Sequence, residues 1–521
     1  MLPTSTPTTA APRSLRMARR AGALLALSAC ALSFAPPAHA LAVEEASIAD
    51  LQAAYRDGRA SAHQVVAAYL ARIAAYDKKG PYINSLITIN PNALEEADAL
   101  DARYRASGKF SGPLHGIPVV LKDNLDAVGM PMTSGFQGWK NYYPPSDAPL
   151  VAKIKAAGGI IIAKASLSEF AKGGGDNINS VLPGFARNPY NTAYATGGSS
   201  GGPAAALAAN FAVVGVGTDT GGSVRMPASY CGIVGLKPTY GLVPIRGIMP
   251  LTLSLDHCGP MTRTVEDNAL MLGVMAGYDN LDITSVEHAR EDYLAQMGQP
   301  VKGLRLGMPA GYFDDLHPEV AKTTGEAIAL LGKLAGGVKD CTLPSVTAFG
   351  NLGAMGETLA WHEDYFKKQP TKYMLPERRR LEGLAAANAK ATDYIRAKWE
   401  LESLRRTVDD SFSDFDLVVL PTQRILPPPL DELIKRAHDP KPTDPKVTSN
   451  TAPFDVFGLP AISIPCGFSK SGLPIGLMIA GPHFAEGKVL ALARAYEQAT
   501  QWHTRKPPLT PNTPKPPVVT G

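Results

Sequence analysis

Two glycine-rich segments end in serines: Gly197-Gly198-Ser199-Ser200-Gly201 and, with its serine 24 residues beyond Ser199, Gly221-Gly222-Ser223. Glycines let backbone amides turn toward one point with no side chain in the way, which suits a pocket for a developing oxyanion. A serine closing such a turn can attack a carbonyl held there, provided a base takes its proton. His257, His288, His317, His362, His438, His483 and His503 all lie downstream, and none sits in a turn that recommends it. Lys122 does offer itself, because it ends the apolar run from Ile117 to Leu121. A lysine desolvated at the end of a buried strand falls in pKa until it can act as a neutral base. Lys122, Ser199 and Ser223 are therefore candidates for one proton relay.

Other readings of the first loop compete with this one. A phosphate loop would need Gly-Lys-Ser/Thr to follow, and it does not. A flexible linker would not run straight into "PAAALAAN", an apolar helical stretch with Pro203 in its first turn. Gly197 to Gly201 also satisfies G-x-S-x-G, the nucleophile elbow of α/β-hydrolase esterases. That elbow follows a strand directly, whereas "ARNPYNTAYAT" reads as a loop.

The elements that must position these residues alternate. Leu51, Tyr55, Val65, Val66, Tyr69, Leu70 and Ile73 fall at helical spacing. Strand-like "GIPVVLK", "GIIIAKA" and "VVGVGTD" then alternate with helical "APLVAKIKAAG" and "AAALAANFA", which predicts an α/β domain around a largely buried sheet. Residues 280–445 turn to charged helical segments and proline-rich loops, a variable substrate-side region. Its Trp361, Phe366, Tyr373 and Trp399 could line an acyl pocket or simply pack helices. "DLVVLPT" and "GLPAISIPCGF…GLPIGLMIAG" return to strand character, "GKVLALARAYEQAT" closes as a helix, and residues 507–521 form a proline-rich tail.

Together, "GPLHGIPVVLKDN", "GGSSGG" and "GTDTGGSVRMPASYCGIVGLKPTYG" resemble the amidase signature family of serine hydrolases, which use a Ser-Ser-Lys triad. "VKGLRLGMP", "DLVVLPT", "GLPAISIPCGF" and "YEQATQWHTRKP" extend the resemblance over nearly all of residues 45–506, so that 41–506 is expected to be one amidase domain. The resemblance implies an α/β fold with a central mixed β-sheet covered by helices on both faces. Ser223 would be the nucleophile, Ser199 the bridging serine held in a cis peptide, and Lys122 the terminal base. The backbone amides of Thr220, Gly221, Gly222 and Ser223 would form the oxyanion hole, Asp219 and Arg225 would brace the loop, and Ser200 would hydrogen-bond near the lysine. The loop from Glu169 to Ser180 would line the acyl site. Thr196 and Pro203 depart from the family pattern without touching the triad. The expected activity is hydrolysis of a small-molecule or peptide amide, as in peptide amidases and aryl acylamidases, with no cofactor and no metal. The alternatives are a G-x-S-x-G esterase or a glutaminase-type amidotransferase A-like subunit.

Charge narrows the partners. Of 521 residues, 51 are basic and 47 acidic, and Arg13, Arg16, Arg19 and Arg20 account for the whole excess. A balanced remainder leaves no electrostatic footprint for nucleic acid. Those arginines precede "AGALLALSACALSFA" and Ala38-His39-Ala40, so residues 1–40 read as a secretory signal and the product as periplasmic or secreted. "LSAC", ending at Cys30, offers a lipoprotein anchor as the alternative. Pro36-Pro37 makes the run too short for a membrane span. Cys231, Cys258, Cys341 and Cys466 match no metal-ligand spacing and are expected to be mostly buried thiols.

Overall fold

The protein is described here from a computed structural model that covers residues 43–172, 182, 184–346, 356–438 and 449–516. The expected leader with Cys30, and positions 173–180 of the loop expected to line the acyl site, lie outside these described residues.

Local signals start the first helices where the sequence predicts them. Ser47 and Ser61 each cap a helix reciprocally with the residue three positions on, opening Ile48–Arg56 and Ala62–Tyr76. Val65, Val66, Tyr69 and Ile73 form the stripe that the second helix buries.

Among the described residues, eleven strands form one mixed sheet. They are β1 Leu86–Ile89, β2 Pro118–Lys122, β3 Ile160–Ala165, β4 Val214–Asp219, β5 Val234–Lys237, β6 His257–Thr262, β7 Leu306–Pro309, β8 Val338–Cys341, β9 Leu417–Pro421, β10 Ala461–Phe468 and β11 Pro474–Ala480. Their order is β1-β3-β2-β4-β6-β5-β10-β11-β9-β7-β8. The pairs β2/β3, β2/β4, β7/β8 and β7/β9 are parallel, and the others antiparallel. Every residue of β2, β3, β4, β6 and β11 is buried. Since successive side chains point to opposite faces, this requires cover on both sides of the sheet.

Residues 280–445 are less separate than their charged composition suggests, because β7, β8 and β9 complete one edge of the same sheet. Among the described residues, the helices Thr358–Lys368, Leu375–Ala387 and Ala391–Thr407 lie between β8 and β9. Tyr373 is buried and Phe366 packs beside it, whereas Trp361 and Trp399 face solvent at 47% and 71% exposure. The tail is also tied down: Leu509 packs on the main core and Lys515 lies 4.0 Å over the Tyr82 ring. Cys231, Cys258 and Cys466 are buried free thiols, and Cys341 is half-buried and free.

Candidate active site

Parallel pairing of β2 with β4 brings Lys122, at the end of the first, beside Thr218 and Asp219, at the end of the second. The Lys122 side chain is fully buried. Its Nζ lies 2.7 Å from Ser199 Oγ, 2.7 Å from Thr218 Oγ1 and 3.4 Å from the Thr218 carbonyl. All three partners are neutral. The neighbouring Asp123 is directed away from it, pairing with Lys164 of β3 at 2.7 Å. Burial without an ion-pair partner pulls the Lys122 pKa down to about 7, against weaker upward pulls from Asp219 and Asp256.

Ser199 is buried at the mouth of the helix Gly201–Ala208, after a cis Gly198–Ser199 peptide. The helix sits tightly: a Cβ on Gly202 would come within 2.1 Å of the Ser166 carbonyl. Ser200 Oγ donates to the Thr218 carbonyl at 3.1 Å and accepts from Thr218 N–H at 3.3 Å. Ser200 N–H donates to the Ser223 carbonyl at 3.2 Å, so the two glycine-serine loops lie side by side. Ser223 is 6% exposed, and its hydroxyl has no hydrogen-bond partner among the described residues.

The second loop is organised by Asp219. Its carboxylate accepts Gly222 N–H, Ser223 N–H at 2.9 Å, Val224 N–H at 3.1 Å and Arg225 Nε at 2.9 Å. This bears on the oxyanion hole that the resemblance implies. The Gly222 and Ser223 amides are spent on Asp219, leaving those of Thr220 and Gly221 without acceptors among the described residues. Glycine is required at position 222, which has φ +123° and where a Cβ would lie 2.1 Å from Thr451 Oγ1. Thr451 Oγ1 in turn donates to the Gly221 carbonyl at 2.8 Å.

Arg225 is shared between two carboxylates. Besides Asp219 it reaches Asp455 Oδ2 at 2.6 Å and the Thr451 carbonyl at 2.9 Å, with all three charged side chains fully buried. Burial works against Asp219 ionisation, but the Arg225 guanidinium overrides it and holds this carboxyl far below its usual range. Asp455 is driven well above its range by burial and then by Asp219 itself. His257 completes the cluster, its Nδ1 2.7 Å from the Leu255 carbonyl; burial lowers its pKa far enough to keep the ring neutral. No histidine whose side chain is described hydrogen-bonds Ser199 or Ser223.

Beside Thr220 the site is lined by Asn124, Thr218, Met249, Leu251 and Asp256. Asp256 is engaged, accepting from Thr220 Oγ1 at 2.5 Å and Leu251 N–H at 2.8 Å. Met249 also belongs to an apolar cluster with Met132, Phe136, Phe170, Tyr373 and Leu381. The Phe170 ring stacks on Tyr373 at 5.4 Å, and Glu169 accepts Met374 N–H at 3.0 Å. Burial pushes Glu169 up to about 8. The wall beside Thr220 is thus joined to the middle helices. Of the expected site residues, Lys122, Ser199, Ser200, Asp219, Thr220, Gly221, Gly222, Ser223 and Arg225 all come together. Thr218, Thr451 and Asp455 join them unannounced. Thr218 is findable as the last inward residue of its strand, but nothing in the local sequence marks the other two.

Fold and site define an α/β enzyme in which a buried lysine and serine adjoin a second, glycine-cradled serine. The Amidase family profile matches residues 64–490, and the chain belongs to the amidase signature family. It is 37% identical over 478 residues to the A-type subunit of the glutamyl-tRNA(Gln) amidotransferase of Geobacter sp. strain M21, covering 86% of this chain and 96% of that one. The protein of the same name from Moorella thermoacetica is 39% identical over 477 residues, covering 86% and 95%. Among solved structures, the native peptide amidase of Stenotrophomonas maltophilia superposes with a TM-score of 0.77 at 33% identity, covering 90% of this chain and 99% of that one. A bacterial aryl acylamidase shares the fold at 24% identity, with a TM-score of 0.78 and coverage of 90% and 99%.

These relatives correct the expected export. The curated relatives are amidotransferase subunits named for glutamyl-tRNA(Gln), and neither a periplasmic or secreted location nor the lipoprotein alternative at Cys30 stands beside them. No helix among the described residues is long and apolar enough to cross a membrane.

Proposed function

We propose that the chain hydrolyses a carboxylic amide through an acyl-serine at Ser223. The observation that carries this reading is the buried contact of Lys122 Nζ with Ser199 Oγ at 2.7 Å, in a site that holds the lysine pKa near 7. Neutral Lys122 takes the Ser199 proton while Ser199 takes that of Ser223. Ser223 Oγ then bonds to the amide carbon. The oxyanion that forms is met by the N–H groups of Thr220 and Gly221, a donor of this kind being worth about 3 kcal/mol. On collapse the C–N bond breaks, and the proton returns from Lys122 through Ser199 to the departing nitrogen. Water then gives its proton to the same relay, attacks the acyl-enzyme, releases the carboxylic acid and restores Ser223.

The lining beside Thr220 supports a neutral acyl group, since its one basic side chain among the described residues, His257, is buried and held well below its usual pKa. A second reading, the glutaminase half-reaction of an amidotransferase, is supported by the names of the curated relatives. The esterase elbow loses support, because Ser199 is buried against Lys122 and follows a loop that contains only isolated bridges. Ammonia or amine release by the purified chain from amino-acid amides, acyl anilides and L-glutamine tests the proposal. Turnover of neutral amides by the chain alone supports the first reading. Turnover confined to glutamine supports the second. Turnover of none of them overturns both.

A further inference from the structure

A cavity of about 430 Å³ opens beyond the opposite ends of strands β4 and β6 from the Ser223 loop. Strand β6 runs from His257, paired with Asp219, to Thr262, paired with Val214 at the far end of β4. Arg263 and Asp267 follow that far end. The remaining walls come from Glu45 and Asp50 near the start of the described chain and from Glu497 and His503 near its close.

The cavity has unspent hydrogen-bond acceptors. Asp267 is 2% exposed; its Oδ1 accepts Ile48 N–H at 3.0 Å, but Oδ2 is buried with no partner among the described residues. Glu497 uses one oxygen on Val265 N–H at 3.0 Å. His503 Nδ1 is also buried without a partner among the described residues, and burial lowers the pKa of its ring. Burial pushes Asp267 up to about 6 and Glu497 up to about 7, outweighing the downward pulls of Arg263 and Arg494.

The basic groups in the walls are largely committed elsewhere. Arg263 donates to the Ala212 and Ala46 carbonyls at 3.0 and 2.5 Å, and its Nε faces Glu45 at 3.6 Å. Lys506 pairs with Glu44 at 3.9 Å. Asp50 and Glu266 add further negative charge to the lining. No group of acidic, histidine or cysteine residues among the described ones has the arrangement of a metal site. The donor that fits is therefore a set of N–H groups carrying positive charge.

We propose that this cavity binds a small organic ammonium ion, whose N–H groups are taken by Asp267 Oδ2, Glu497 and His503 Nδ1. Its volume falls within the range of small-molecule sites, and it is separate from the catalytic loops.

Titration calorimetry of the full chain with 1,4-diaminobutane tests this, with 1,4-butanediol and magnesium as comparisons. The diamine should bind saturably at one site per chain and the diol should not. Glu497→Gln, which keeps an oxygen for Val265 N–H, should weaken binding at least tenfold while amide turnover is unchanged. Asp267→Asn should weaken it similarly, and if that variant fails to fold, Glu497→Gln decides. Ser223→Ala should bind as the native chain does. Absence of saturable diamine binding, equal binding by Glu497→Gln, tighter binding of magnesium than of diamine, or loss of binding in Ser223→Ala would each overturn the proposal.

Discussion

Lys122 Nζ and Ser199 Oγ meet at 2.7 Å inside the protein, with neither side chain reachable by solvent. A lysine in that position is a base only when unprotonated. With its pKa lowered from 10.5 to about 7, kcat/KM should rise about tenfold per pH unit below 7 and level off above it. Lys122→Ala should cost roughly 10²–10⁴-fold in kcat/KM and abolish that limb. A profile that stays flat from pH 5.5 to 8 would remove Lys122 from the role of base.

The same depressed pKa has a consequence for stability. The unfolded chain binds the lysine proton between about pH 7 and 10.5 and the folded chain does not, so this residue favours folding increasingly as pH rises through that window. Lys122→Met has no proton to lose. Its Tm relative to the native chain should increase as pH falls from 10 to 7 and stay constant below, even as activity vanishes. An unchanging Tm difference across that window would mean that the lysine is charged in the folded protein.

Ser223 and Ser199 should separate cleanly. Ser223→Ala is expected to lose about 10⁴-fold or more in kcat and to form no covalent adduct with a serine-reactive phosphonate. Ser199→Ala should lose less, because Ser223 and its two remaining amide donors stay in place. Mass spectrometry of the trapped native enzyme should find the label on the peptide containing Ser223. A label on Ser199 would restore the nucleophile-elbow reading.

Arg225 binds both Asp219 and Asp455, and Asp219 accepts the amides of Gly222, Ser223 and Val224. Removing one partner of a buried ion pair strands the other, at a cost of roughly 3–5 kcal/mol. Asp219→Ala should therefore lower unfolding stability by about that amount in urea. Because the folded Asp219 pKa is depressed, its contribution is complete above the unfolded carboxylate range and disappears as pH falls through the folded value. Asp455→Asn keeps an oxygen for Arg225 and should retain most stability while lowering kcat more than it changes KM. Equal stability of Asp219→Ala and the native chain would show that the bridge is not structural.

The relay is legible in the sequence because its parts are locally encoded. An apolar run ending in lysine and two glycine-serine turns each announce their own geometry. What the sequence does not reveal depends on long-range closure. Asp455 lies 230 positions from Arg225, and they meet only because β10 pairs with β5 and carries the helix Ala452–Phe457 over the loop. Nor can the sequence say which amides of the second glycine-serine loop an aspartate takes. The middle region reads as helical because β7 and β8 are four residues each, too short for a period-two signal.

Acyl selectivity should be set by the wall that joins Met249 to Phe170 and Tyr373. Met249 lines the space beside Thr220 and packs into the aromatic cluster, so shortening it opens the site toward that cluster. Met249→Ala should raise kcat/KM for amides with a branched or aryl acyl group relative to acetyl by about 10–100-fold, the range that one or two methylenes of pocket space command. The same change should cost about 2–4 kcal/mol of stability, because the new space is apolar and closes only partly. Tyr373→Phe keeps the ring packing while deleting the hydroxyl that lies 3.1 Å from His362 Nδ1. It should leave selectivity unchanged. If Tyr373→Phe shifts selectivity as strongly as Met249→Ala, or if neither shifts it, the acyl group does not rest against this wall.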